Sequence, residues 1–360
     1  MKNAAFLNLV LAVVLVLALG WLLYIGRAII VPIVIAVLAV YVMVKTSDTL
    51  KKVPILNLLP LSLLRFVIML IFACAIGLIA YVILTTVREI AAVAPIYEAN
   101  IDALFERIED RYNLERRAIW NEIRVLTIDR IEIGPVFLGA FGRFTSFGAL
   151  VFLVALYAAF LMAERDGFQR KLHAILTDEN DALVAHKALQ DINKRIGDYL
   201  AMKTLINVVL GVFSYVVLWA FSVDFAVFWA IVIAFLNYIP YFGSYIGVFL
   251  PVLLSLAQFG SISVTVLLAL MLTIGQFVLG SIVEPRVIGR QLNLSPIVVL
   301  ISLSVWTALW GISGAILAIP LTSLFVIVLG SFEQTRSLSL LFAERIDDDS
   351  EEISTKQNAL

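Results

Sequence analysis

Residues 225–283 run for 59 positions without one charged side chain, and residues 291–332 for another 42. Only a short island, Glu284 to Arg290, separates the two tracts. A soluble fold needs charged faces, and stretches of this length cannot supply them. A helix needs about 20 apolar residues to cross the ~30 Å hydrocarbon core of a bilayer, so each tract holds more than one crossing. The remaining composition agrees. Apolar residues make up 62% of the chain and charged residues 15%, against about 45–50% and about 25% in soluble domains. The surplus must face lipid, which excludes a soluble globule and a disordered chain. A net charge of −1 gives nucleic acid nothing to bind. The single cysteine, Cys74, lies in an apolar run and reads as a small packing residue.

Five further apolar runs read as spans: residues 4–25, 28–44, 66–84, 147–163 and 204–223. Lys2 ahead of the first run also fits a cleaved signal peptide, but no polar mature sequence follows it. Basic residues assign the sides. With the N-terminus in the cytoplasm, 17 basic residues, including every lysine, fall inside and nine fall outside. The expected layout is spans 1–3 in residues 1–87, an outer segment 88–145, a fourth span 146–163, a cytoplasmic helical hairpin 164–203, a core 204–332 and a polar acidic tail 333–360. In the outer segment Ile90, Val93, Tyr97, Ile101, Leu104, Ile108 and Tyr112 recur at helical spacing. They predict an amphipathic helix in a small cap, with Gly134 and Pro135 as breakers. The two histidines, His173 and His186, match no metal-ligand spacing. There is no phosphate-binding glycine loop and no catalytic constellation, so the expectation is a non-enzyme with no cofactor.

The first tract cannot be two straight crossings. Residues 225–239 reach roughly 22 Å, short of the core, before Pro240 interrupts within NYIPYFGSYIG. Residues 241–259 return, and an ordinary span begins near Ile262 and ends at Val283. The second tract repeats the layout: residues 296–310, a break at GISG, then residues 312–330 interrupted by Pro320. Charge placement makes the first pair an outer hairpin and the second an inner one, which is an inverted repeat. Short Gly/Pro-broken apolar segments in matching places mark transporter binding sites. Unpaired backbone at membrane depth is tolerated only against protein or a water-filled cavity. Kinked spanning helices are the alternative. The fold expected is thus all-α and polytopic, with about six spans, two re-entrant-type hairpins and a small helical outer domain.

Polar groups in this core are few. Asn237, Ser244, Gln258, Gln276, Asn293 and Ser313 could each bond a ligand or a neighbouring helix. No carboxylate lies deep. Glu284 sits at the inner edge beside Arg286 and Arg290, and Asp224 at the outer edge. Coupling to a proton or sodium ion would use these or backbone carbonyls, and a structural Glu284–arginine pair is equally compatible.

NYIPYFGSYIGVFLP at 237–251, Gln276 with VEPRVIGRQLNLSP at 283–296, GISGAILAIP at 311–320 and GDYLAMK at 197–203 together resemble the signatures of the autoinducer-2 exporter family. Ser244 departs from the proline common among its members. The resemblance implies a homo-oligomeric protein of the bacterial inner membrane, exporting a small polar signalling molecule in quorum sensing; the placement of basic residues puts both termini in the cytoplasm. Members are also described as sodium- or lithium-extruding antiporters, so the family leaves the substrate open. The expected substrate pathway is Asn237, Pro240, Gly243, Ser244, Gly247, Gln276, Gly311, Ser313, Gly314 and Pro320. Gating or ion coupling falls to Glu284, Arg286, Arg290 and Asp224. A cation/proton antiporter and a non-transporting membrane scaffold are the other readings.

Overall fold

A computed structural model describes residues 2–54, 56–112, 150, 152–164, 167, 179–288 and 292–344. Among them the secondary structure is helical apart from an isolated antiparallel bridge, Leu294 to Ala343. The helices are α1 (Lys2–Ile25), α2 (Arg27–Leu50), α3 (Leu61–Tyr112) and α4 (Phe152–Glu164). After them come α5 (Glu179–Ala220), α6 (Ala226–Leu236), α7 (Phe242–Phe259) and α8 (Ile262–Phe277). The series ends with α9 (Glu284–Ile288), α10 (Pro296–Ser331) and α11 (Glu333–Phe342). Seven of the described helical stretches are long and apolar enough to cross a membrane. The chain is a multi-pass membrane protein.

Several expectations change in detail. The amphipathic repeat from Ile90 to Tyr112 is helical, but it does not start a separate element. It continues the third span as one 52-residue helix, with Pro95 inside it. Nothing in residues 84–90 breaks the backbone; the change from apolar to amphipathic is one of composition alone. Likewise α5 runs from Glu179 through the fifth apolar run to Ala220 without a break. Cys74 is exposed on α3, so it is not a packing residue. The rest of the outer segment with Gly134 and Pro135, the first residues of the fourth span, His173, Arg290 and the acidic tail beyond 344 lie outside the described residues.

The chain forms two compact units. One comprises residues 1–45, 157–202 and 288–360; the other comprises residues 46–156 and 203–287. The second unit has its own core: Leu210 and Leu218 of α5, Val223, Ile233 of α6, and Leu268 and Leu272 of α8. In it α6 and α7 pack against each other antiparallel, with Gly247 seated on Ile233. The helix α6 has 11 residues, about 16 Å, shorter than residues 225–239 suggested. The missing turn is spent on the irregular stretch 237–241. The first unit packs Trp310, Leu317 and Leu321 of α10 against Val31 of α2, and Trp310 Nε1 donates to the Leu23 carbonyl of α1 at 3.0 Å.

Both broken segments reverse direction. In α10, Gly311 takes φ 63°, ψ −141°, outside the helical region. Trp306 Nε1 then donates to Thr322 Oγ1 at 3.1 Å. Sixteen residues of straight helix would separate those positions by about 24 Å, so the two arms must lie side by side. The N-terminus of α10 is capped by Ser295, whose Oγ accepts from the Val298 N–H, with Pro296 in the first turn.

Candidate functional site

Along the α6–α7 pair the two ends differ in chemistry. At the open end Asp224 precedes α6 and Gln258 closes α7. Ser222 and Phe225 have φ of 55° and 58°, values that favour glycine. Hydrogen bonds hold this strained turn. Gln258 Nε2 donates to the Ser222 carbonyl at 2.9 Å, and the Asp224 N–H donates to Gln258 Oε1 at 2.9 Å. The long arm of α3 adds Tyr97, whose hydroxyl donates to Asp224 Oδ2 at 2.7 Å, and Asn100, whose Nδ2 donates to the Gln258 carbonyl at 2.7 Å. Burial first, and then the bonded Asp224 carboxylate, push the Tyr97 hydroxyl well above the usual tyrosine range, so it remains a donor. Gly260, φ 52°, closes this end, and a Cβ there would sit 3.1 Å from the Asn100 carbonyl oxygen. The amphipathic arm of α3 therefore fastens to the α6–α7 pair.

At the closed end the residues between α6 and α7 carry the polar chemistry. Asn237 is buried, 4% exposed. Its Nδ2 donates to Asn207 Oδ1 of α5 at 2.8 Å. Its Oδ1 accepts from Ser244 Oγ of α7 at 3.1 Å and from Gln276 Nε2 of α8 at 3.4 Å. One side chain thus joins four elements. The next residue, Tyr238, donates its hydroxyl to Thr204 Oγ1 at 2.8 Å and lies beside Asn207. Tyr241 has φ 62°, and Gly243 lets α7 start against the Leu236 carbonyl. Strain of this kind persists only where surrounding contacts over-determine it, and it gathers at ligand clamps and switches.

One turn of α5 before Asn207, Lys203 is buried and donates to Glu284 Oε1 at 2.6 Å. Between Gln276 and Glu284 the helix widens into a π turn, Val278–Val283, in which the Glu284 N–H donates to the Leu279 carbonyl. Such widened turns are frequent at functional sites. Glu284 is thus paired with Lys203, and Arg286 is exposed. The reason is geometric. Arg286 is two residues further along the same helix and so points away from Glu284.

The cluster contains Asn237, Ser244, Gln276 and Glu284 of the residues singled out from sequence, with Pro240, Gly243 and Gly247 shaping its backbone. Asp224 belongs to the other end of the pair. In the first unit Gly314 is buried against Trp306, Ser313 is half-buried, and Pro320 is buried in the returning arm. Asn293 has φ 41° and its carbonyl accepts from the Glu344 N–H, which places it at the foot of α10.

Sequence reasoning missed Lys203, Thr204 and Asn207. A signal for two of them was present. Lys203, Asn207, Leu210, Ser214 and Leu218 follow at three- and four-residue steps, and all are buried. Polar residues on the same helical face as core leucines are candidates for a buried network.

Comparison with known proteins adds the following. Residues 9–334 match the model of the AI-2E family transporters. A candidate transport protein of Haemophilus influenzae is 27% identical over 304 residues, covering 82% of this chain and 84% of its own. One from Borreliella burgdorferi is 28% identical over 247 residues, covering 68% and 67%. The AI-2 transport protein TqsA of Escherichia coli K12 is 31% identical over 194 residues, covering 54% and 55%.

Proposed function

The chain belongs to the AI-2E family of transporters, and from that premise we propose that it exports a small uncharged polar metabolite across a bacterial inner membrane by alternating access. The observation that carries this reading is the pair of reversals, at residues 237–241 and at Gly311, in otherwise uncharged helices. We read the α6–α7 pair as a hairpin entering from the outside and α10 as one entering from the cytoplasm. Each follows a full span, α5 or α8, so the core is an inverted repeat, an architecture that places substrate at its broken helices. Asn237, Ser244 and Gln276 bond substrate, Gly243, Gly247, Gly311, Gly314, Pro240 and Pro320 shape the tips, and Ser313 serves the second tip.

Both carboxylates at the edges of the core are held by partners, Glu284 by Lys203 and Asp224 by Tyr97. Neither stands ready as a proton carrier, which favours a facilitator or carrier over a proton-coupled antiporter. The name of one relative makes autoinducer-2 the first substrate to examine. A homo-oligomer with cytoplasmic termini completes the reading. The test is a metabolite comparison of medium and cytosol in cells with and without the protein. The expected result is a small neutral solute that leaves the cytosol only when the protein is present. No difference across the metabolite panel would favour a non-transporting scaffold.

A further inference from the structure

We propose that the part of α3 beyond Pro95 is a strap, which hinges at Pro95, closes over the open end of the α6–α7 pair and lets go in each transport cycle. The inference rests on the transport reading and adds a gate to it. The hinge comes from the backbone. α3 runs unbroken from Leu61 to Tyr112 with Pro95 inside it. A proline has no N–H for the carbonyl four residues back, here that of Ala91, and its ring crowds that carbonyl. Helices bend most readily at such a point, and Pro95 is exposed, where a bend meets little packing.

The ties follow directly after the hinge. Tyr97 bonds Asp224 in the turn before α6, and Asn100 bonds the Gln258 carbonyl at the end of α7. Each is a polar contact whose groups water can serve once they part, so separation costs little. The apolar core of this unit is built from α5 to α8 and the stretches between them, and among the described residues α3 adds none to it. The strap can therefore open without opening that core. What it holds is strained. Ser222 and Phe225, on either side of Asp224, have φ of 55° and 58°, and Gly260, φ 52°, lies against the Asn100 carbonyl. Gln258 braces Ser222 and Asp224 from within the pair, while Tyr97 and Asn100 brace it from α3. Strain persists only where surrounding contacts over-determine it. Removing the brace from α3 lets the turn relax and α6 shift against α7, so release of the strap and movement of the pair favour each other. Tyr97 and Asn100 are thus positioning residues.

The test locks the strap. In a Cys74→Ser background, Asn100→Cys is combined with Gly260→Cys. A Cβ at Gly260 would lie 3.9 Å from the Asn100 Cβ, inside the usual disulfide separation of about 3.5–4.5 Å, so a disulfide replaces the Asn100 tie. Cells carrying the full chain are treated with copper phenanthroline and then with dithiothreitol. The metabolites of medium and cytosol are compared with those of Cys74→Ser cells treated alike. The expected result is loss of protein-dependent export on oxidation and its return on reduction. Export that persists through complete cross-linking overturns the proposal. Should the double variant fail to fold, Pro95→Ala carries the test. It restores a helical hydrogen bond, so the purified protein should unfold no earlier, yet export should fall by about threefold or more. Amide hydrogen exchange over residues 96–104 should slow at the same time. Export that does not fall, or exchange that does not slow, overturns the proposal, since a merely structural proline would leave both unchanged. If Cys74→Ser cells show no protein-dependent export at all, the transport reading fails and the gate with it. If they export and the locked protein does too, the gate alone is wrong.

Discussion

Gly314→Ala, and separately Gly243→Ala, are expected to abolish export and to lower the stability of the purified protein. At Gly314 a Cβ would run into the Trp306 carbonyl oxygen, and at Gly243 into the Leu236 carbonyl oxygen. Both obstacles are backbone, which cannot rotate aside as a side chain does. Relief would require the two arms of the reversal to part, and with them the Trp306–Thr322 bond in one unit and the Ser244–Asn237 bond in the other. Overpacking typically costs 1–3 kcal/mol, and these positions belong at about the upper figure. Gly77→Ala is the control. Its Cβ meets nothing within 4 Å, so helix propensity alone acts and favours alanine by up to about 1 kcal/mol. Thermal unfolding in detergent, beside export from cells, separates the three variants. If Gly314→Ala and Gly243→Ala behave like Gly77→Ala, the close approach of the arms is wrong.

Lys203→Met has the other large expected effect. The Lys203 side chain is 7% exposed and the Glu284 side chain 25%. Removing the ammonium leaves a partly buried carboxylate without its counter-charge. Breaking a buried pair from one side costs about 3–5 kcal/mol, and the partial exposure of Glu284 sets the expectation near about 3 kcal/mol. The double variant Lys203→Met with Glu284→Gln removes both charges and should recover most of that loss, because paired burial itself adds little net stability. The measurement is again thermal unfolding of the purified protein. A double variant no more stable than the single one would show that the pair does more than cancel two charges.

The sequence announced its breaks and concealed its joins. Pro240, Gly243, Gly311 and Gly314 punctuate the uncharged tracts because few other residues permit those backbone conformations, so the breaks were legible. The uninterrupted α3 was not. A helix that leaves lipid changes composition without changing backbone, and composition was the signal available. The site was half legible. Asn237, Ser244 and Gln276 stand out as polar residues in apolar surroundings, and three helices and a joint bring them together. Lys203 and Glu284 lie 81 residues apart, and nothing in sequence spacing pairs a lysine after one helix turn with a glutamate at the end of another span. Arg286, two residues from Glu284, was the nearer guess by sequence, and helix geometry points it to another face.

The central claim is that each of the two reversals is reached by water. It is tested most directly by thiol accessibility in membranes. Cys74 is the sole cysteine, so Cys74→Ser gives a silent background, into which Tyr241→Cys and Ser313→Cys are placed singly. Membrane-impermeant thiol reagents are then applied from each side. The account predicts that both positions react, and that a transported solute slows the reaction. If both stay unreactive from either side, the breaks are kinks packed within protein or lipid, and the transport core has been misplaced.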